Sequence, residues 1–142
     1  MGLLRASEVA RSIFDVDYAR LWAEGKRAVI FDLDNTLGER RTSTLRPEVR
    51  ALLENLSARG FSIGVLTNRR WRSVEELTAQ LGPAIPVVRM AHKPSRKGYA
   101  TLLGRLGVSA AEAVMIGDRT LTDVVGANRC RIHSIRVSGF SA

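Results

Sequence analysis

The chain predicts an open α/β domain, a parallel five-stranded sheet with helices on both faces, and three observations carry that expectation. Several short segments are apolar without alternation, which marks strands covered on both faces. Segments with helical spacing separate them, as crossovers between parallel strands require. Polar residues of one chemical kind follow the apolar runs, where open α/β sheets place their ligands.

The elements follow in order. Residues 7–14 and 17–24 read as one or two helices ending at Gly25. Ala28-Val-Ile-Phe-Asp-Leu33 is the first strand, with one acid inside it. Pro47 suits a first helical turn. Val49, Leu52, Leu53 and Leu56 then repeat at i, i+3, i+4, i+7 before Gly60. Phe61–Leu66 is the second strand, and Val74, Leu77 and Leu81 mark the next helix. Pro86–Arg89 is a short third strand. Tyr99, Leu102, Leu103 and Leu106 form a helix closed by Gly107. Ser109 with Glu112 resembles a capping box. Ala113–Ile116 is the fourth strand, Leu121, Val124 and Val125 open another helix, and Ile132–Val137 is the fifth strand. Residues 1–142 are expected to make a single domain.

Composition sets bounds. Hydrophobic residues make up 45% and charged residues 25%, ordinary for a soluble globular chain that needs no staple. The one cysteine, Cys130, cannot pair within the chain, which fits a reducing, cytoplasmic setting. No signal-like or membrane-spanning stretch is evident. The net charge of +8 suits an anionic partner, or only solvated helix faces.

The residues that end the strands form one set. Asp32 and Asp34 follow the first, Thr67 and Asn68 the second, Lys93 the third, Asp118 and Asp123 the fourth. Alternation along an extended chain aims Asp32 and Asp34 to one side. Their repulsion calls for a cation or a proton. Asp118 adds a third oxygen donor, and hard oxygen donors favour Mg²⁺ over zinc or copper. Such a set suits phosphoryl transfer, which demands neutralised charge and in-line positioning. Asp32 would attack phosphorus and become an aspartyl-phosphate. Asp34 would protonate the leaving oxygen and then activate water. Lys93 and Thr67 would bind phosphoryl oxygens. For Asn68, a helix cap and a phosphate contact are both open. Cys130 and His133 are too few for a metal site.

These motifs resemble a known family. Phe31-Asp-Leu-Asp-Asn-Thr-Leu37, Val65-Leu-Thr67, Lys93-Pro94 and Ile116-Gly-Asp-Arg-Thr-Leu-Thr-Asp123 look like the four ordered motifs of the haloacid dehalogenase (HAD) superfamily of phosphatases. Asp34 matches the phosphatases and mutases, not the dehalogenases, and Leu33 stands where the pumps carry lysine. Ala91-His-Lys-Pro94 and Gly126-Ala-Asn-Arg129 resemble the YqeG-type, subfamily IIIA group, which is related to the phosphatidylglycerophosphate phosphatases. The resemblance implies a three-layer, Rossmann-like core. It implies Mg²⁺ on Asp32, Asp118 and the backbone carbonyl of Asp34, with Asp123 ordering waters or Lys93 behind them.

Many members of that superfamily insert a cap domain. Residues 38–46 and 81–87 are too short to hold one, so the site should lie open to a large substrate, or to a lid from a second copy in a homo-oligomer. Arg40, Arg41, Arg96, Lys97 and Arg119 lie near the motif loops, and Arg69-Arg-Trp-Arg72 sets an indole among guanidiniums. Such a rim could hold a phospholipid headgroup in peripheral membrane contact, or be ordinary solvated charge. No nucleic-acid motif is present. The expected activity is Mg²⁺-dependent phosphomonoester hydrolysis, on a substrate such as phosphatidylglycerophosphate. A silent phosphate- or nucleic-acid-binding module on the same fold is the alternative. A mutase is disfavoured, because nothing excludes water.

Overall fold

The computed structural model describes residues 2–140, with residues 71–73 described by their backbone alone. The Trp71 and Arg72 side chains of the predicted rim therefore lie outside the described residues. Six strands form the sheet: β1 (Glu8–Ala10), β2 (Ala28–Phe31), β3 (Ser62–Leu66), β4 (Val87–Val88), β5 (Ala113–Gly117) and β6 (His133–Val137). Their order is β1-β6-β5-β2-β3-β4, and every neighbouring pair is parallel. The helices are α1 (Tyr18–Ala23), α2 (Pro47–Ala58), α3 (Trp71–Leu81), α4 (Arg96–Leu106) and α5 (Val125–Arg129).

The period of two along each strand sorts the apolar side chains into two cores. Val29, Phe31, Val65 and Ile116 face one side, where Leu21 of α1, Val49, Leu53 and Leu56 of α2, and Val74 and Leu77 of α3 pack. Ala28, Ile30, Leu66 and Met115 face the other, covered by Tyr99 and Leu102 of α4 and Ala127 of α5. Burying one such Leu or Phe stabilises by about 1.5–3 kcal/mol, so both faces contribute. The three-layer class expected from the sequence holds.

Local signals act as read. Pro47 opens α2 at its first turn, and Gly107 closes α4 in the left-handed conformation at φ 67°. Ser109 and Glu112 exchange both bonds of a capping box.

One expectation needs correcting. The sheet has six strands rather than five, and residues 7–14 are not helical. They hold β1 and a 3-10 turn at Ile13–Asp15, while only Tyr18–Ala23 of the second segment is helical. Pairing decides this: β1 lies along β6 from Glu8–Ile135 to Ala10–Val137. The Ser7 hydroxyl and N–H exchange hydrogen bonds with Ser134. A three-residue strand carries no readable period, so only the partner strand defines it.

No cap domain interrupts the described residues. Residues 32–46 between β2 and α2 hold turns and an isolated Asp34–Gly38 bridge, and residues 82–86 join α3 to β4 directly.

Candidate active site

The chain runs outward from β2 to β3 and β4, then returns to place β5 and β6 on the other flank of β2. The β2–β5 boundary is therefore the switch point, where an open α/β sheet leaves a crevice. The Asp32 N–H donates to the Ile116 carbonyl at 2.9 Å, so Asp32 still sits in the ladder as β2 ends. Asp32, Asp34, Thr67, Asn68, Arg69, Lys93, Arg119 and Thr122 line an open pocket of about 230 Å³ above it.

Lys93 organises the floor. Its ammonium donates to Asp32 Oδ1 at 2.7 Å, Asp123 Oδ1 at 2.7 Å and the Leu66 carbonyl at 3.0 Å. All three of its hydrogens are used inside a buried site. Burial alone would lower its pKa, but the two carboxylates outweigh that and hold it above the usual lysine range. The Lys93 backbone is fixed as well. Asn68 Oδ1 accepts its N–H at 2.8 Å, and Asn68 Nδ2 donates to its carbonyl. Asn68 thus braces the lysine loop.

The acids divide into two groups. Asp32, Asp118 and Asp123 bring carboxylate oxygens within 4.8 Å of one another. Burial pushes Asp32 up to about 6, with the Asp123 charge adding to it against the pull of Lys93. Asp118 is raised too, by burial and by Asp32, although Asn35 Nδ2 donates to its Oδ2 at 3.1 Å. Asp34 stands apart. Its carboxylate accepts from Arg69 Nε at 3.0 Å and from a second Arg69 nitrogen, and from the Arg41 N–H at 2.7 Å. Partial burial would raise its pKa; the Arg69 guanidinium prevails and keeps it below the usual range. Both aspartates of the first motif border one pocket, but Asp34 lies outside the acid cluster that Asp123 joins.

Asp123 is held by an unusual backbone. Thr120–Val124 form a single π-turn between β5 and α5. The Tyr99 hydroxyl donates to the Asp123 carbonyl at 3.1 Å beneath that turn. Gly117 leaves room for the acid: a Cβ there would lie 2.3 Å from Asp123 Oδ2. Thr67 is buried, and its hydroxyl oxygen accepts the Arg69 N–H at 3.1 Å.

The cluster suits a hard cation. Three carboxylates face one ammonium, which leaves the floor net negative. Asp118 Oδ1 is buried and has no hydrogen-bond partner among the described residues. An orphaned carboxylate oxygen beside two other acids fits an oxygen-ligated divalent ion.

Two residues of the site are not found by reading strand ends. Arg69 reads from sequence as rim charge, yet it clamps Asp34 and also donates to the Thr42 carbonyl. Asn35 ties Asp118 to the Phe140 N–H, joining the site to the segment after β6. Its φ of 56° suits Asn, and that tolerance is the only local signal.

Comparison with known proteins places this architecture. A haloacid dehalogenase-like hydrolase family match spans residues 38–131, opening within the β2–α2 loop a few residues past Asp32 and Asp34. The Bacillus subtilis protein named Probable phosphatase YqeG is 31% identical over 130 residues, 92% of this chain and 74% of that one. Phosphatidylglycerophosphate phosphatase 1 of Chlamydomonas reinhardtii is 33% identical over 90% of this chain, which spans half of that protein's length. The crystal structure of a HAD phosphatase from Thermococcus onnurineus superposes with a TM-score of 0.56 at 26% identity, covering 66% of this chain and 46% of that one. The four ordered motifs, the sheet order and these relatives agree: this chain belongs to the haloacid dehalogenase-like hydrolases, on their phosphatase side.

Proposed function

We propose that the chain hydrolyses phosphomonoesters through an aspartyl-phosphate on Asp32, with Mg²⁺ held by Asp32, Asp118 and the backbone carbonyl of Asp34. One observation carries the reading. Asp32 is buried at the floor of the pocket with one oxygen fixed by Lys93, beside an unpartnered Asp118 oxygen. A bound Mg²⁺ would supply charge neutralisation at the phosphoryl group.

The chain's own residues do the rest. Lys93 fixes the Asp32 rotamer and offsets its charge, so the carboxylate is aimed before substrate arrives. Thr67 and Asn68 border the position of the phosphoryl oxygens, where Thr67 donates and Asn68 holds Lys93 in place. Asp123 keeps Lys93 oriented from behind. Asp34 must carry a proton to serve as general acid, and its pairing with Arg69 opposes that. An anionic substrate competes for Arg69; Asp34, once released, takes up a proton from solvent and passes it to the leaving oxygen.

The open pocket, the basic loops and the likeness to a protein named for phosphatidylglycerophosphate favour a lipid phosphomonoester as substrate. No helix among the described residues is long and apolar enough to cross a membrane. On this reading residues 1–142 form one cytoplasmic domain that works at a membrane surface. A lid from a second copy in a homo-oligomer is compatible with the uncapped mouth.

The test is phosphate release with and without Mg²⁺, from p-nitrophenyl phosphate, nucleotides, sugar phosphates and phosphatidylglycerophosphate. Wild type should be active and Asp32→Asn should fall at least about 10³-fold, with its fold intact. A folded wild type that binds Mg²⁺ but releases nothing across the panel would replace this reading with a phosphate-binding module.

A further inference from the structure

The loops that follow β2, β3, β4 and β5 form the mouth of the pocket, and they are basic. Arg40, Arg41 and Arg119 are exposed there, as are Arg96 and Lys97 where the loop after β4 enters α4. The exposed acid of the loop after β2, Glu39, is paired with Arg46. The same loops expose two large apolar side chains. Met90, after β4, is 47% accessible, and Leu121, after β5, is 70% accessible. With the sheet order β5-β2-β3-β4, they flank the pocket on opposite sides. Phe14 is also exposed, but it lies beyond β1, just ahead of Asp15 and Asp17 and not on the loops that bear the basic ring.

Cations alone would suit any polyanion. Apolar side chains raised among those cations gain nothing from a sugar phosphate or from RNA. At a bilayer surface both have a use. Anionic headgroups attract the basic ring, and short apolar side chains enter the boundary of the acyl region. We propose that this face docks on an anionic phospholipid bilayer with Met90 and Leu121 inserted, so that Asp32 meets a phosphomonoester headgroup still seated in the membrane. This inference rests on the phosphatase reading for its purpose, but the docking is measured apart from it.

The experiment is co-sedimentation with vesicles of equal parts phosphatidylcholine and phosphatidylserine, against phosphatidylcholine alone. Phosphatidylserine carries no phosphomonoester, so binding reports the face and not the pocket. Wild type and Asp32→Asn should partition alike onto the anionic vesicles and poorly onto the neutral ones. The double variant Met90→Asn/Leu121→Ser should lose about tenfold in partition. Its hydrolysis of p-nitrophenyl phosphate and its thermal unfolding should match wild type. Met90 sits at φ 50°, which Asn adopts readily, so the fold tolerates the change. No binding to anionic vesicles at low salt would overturn the proposal. So would an unaltered double variant, or a short RNA that binds wild type and double variant equally and displaces both from vesicles. Vesicle binding by a folded wild type that releases no phosphate from any ester of the panel, phosphatidylglycerophosphate included, would instead sink the phosphatase reading and leave the docking standing.

Discussion

Lys93 shows how much of the site rests on single side chains. It balances Asp32 and Asp123 at 2.7 Å each, almost wholly buried at the floor of the pocket. Removing one partner of a buried ion pair costs about 3–5 kcal/mol, because the remaining charge stays unpaired. Lys93→Met should therefore unfold at lower urea in the presence of chelator, in addition to losing activity. The sign with pH follows from Asp32, already raised to about 6. A carboxyl raised above its unfolded value opposes folding as pH climbs past that unfolded value. The deficit of Lys93→Met should thus widen between pH 5 and pH 8; a deficit independent of pH would contradict the assignment. At this scale the sequence was legible where a residue's role follows from ending a strand. Asp32, Thr67, Lys93 and Asp118 reach one crevice for that reason. The Arg69–Asp34 clamp was not legible, since it joins residues 35 positions apart through a long side chain. The Asn35 bridge to Phe140 spans 105 positions and had no local cue for its partner.

The π-turn and the first strand carry the argument at the level of elements. The turn at Thr120–Val124 sets Asp123 against Gly117 so closely that any Cβ at 117 must displace the acid. Gly117→Ala should cost about 1–3 kcal/mol and reduce turnover, because Asp123 can no longer hold Lys93. Normal turnover with normal urea stability would show that the turn yields without consequence. The segment of β1 reads as helix from sequence because three residues hold no period, and the strand exists only by pairing with β6. Glu8 fastens it, paired with Arg20 at 2.6 Å and bonded to His133 at 2.6 Å. Partial burial would raise the Glu8 pKa, but Arg20 and His133 prevail and hold it below its usual 4.5. A depressed carboxyl contributes stability above its unfolded pKa and loses it as pH falls through the folded one. Glu8→Gln should be slightly less stable than wild type at pH 7, by no more than about 1 kcal/mol for so open a pair. The two should converge in urea melts as pH falls below the usual carboxylate range, and parallel curves would mean that Glu8 does not anchor β1 by charge.

For the molecule as a whole, the fold concentrates like charge at one edge of the sheet. Parallel strands, two cores and short connections bring acids from β2 and β5 to one edge, with one buried lysine among them. The apo site therefore carries repulsion that folding overcomes elsewhere, and a divalent ion should repay it by mass action. A ligand that binds only the folded chain adds RT ln(1 + [L]/Kd), about 2.7 kcal/mol at a hundredfold excess over Kd. Asp118→Asn removes one carboxylate charge from the cluster while keeping size and the Asn35 contact within reach. In chelator this variant should be as stable as wild type or more so, because like charges have been thinned. With Mg²⁺ the order should reverse: wild type should gain several degrees in thermal midpoint and Asp118→Asn little. Thermal unfolding of both proteins across a Mg²⁺ titration reads the crossing directly, without any substrate. Equal gains in the two proteins would place the ion elsewhere on the surface, and no gain in wild type would remove Mg²⁺ from the site altogether.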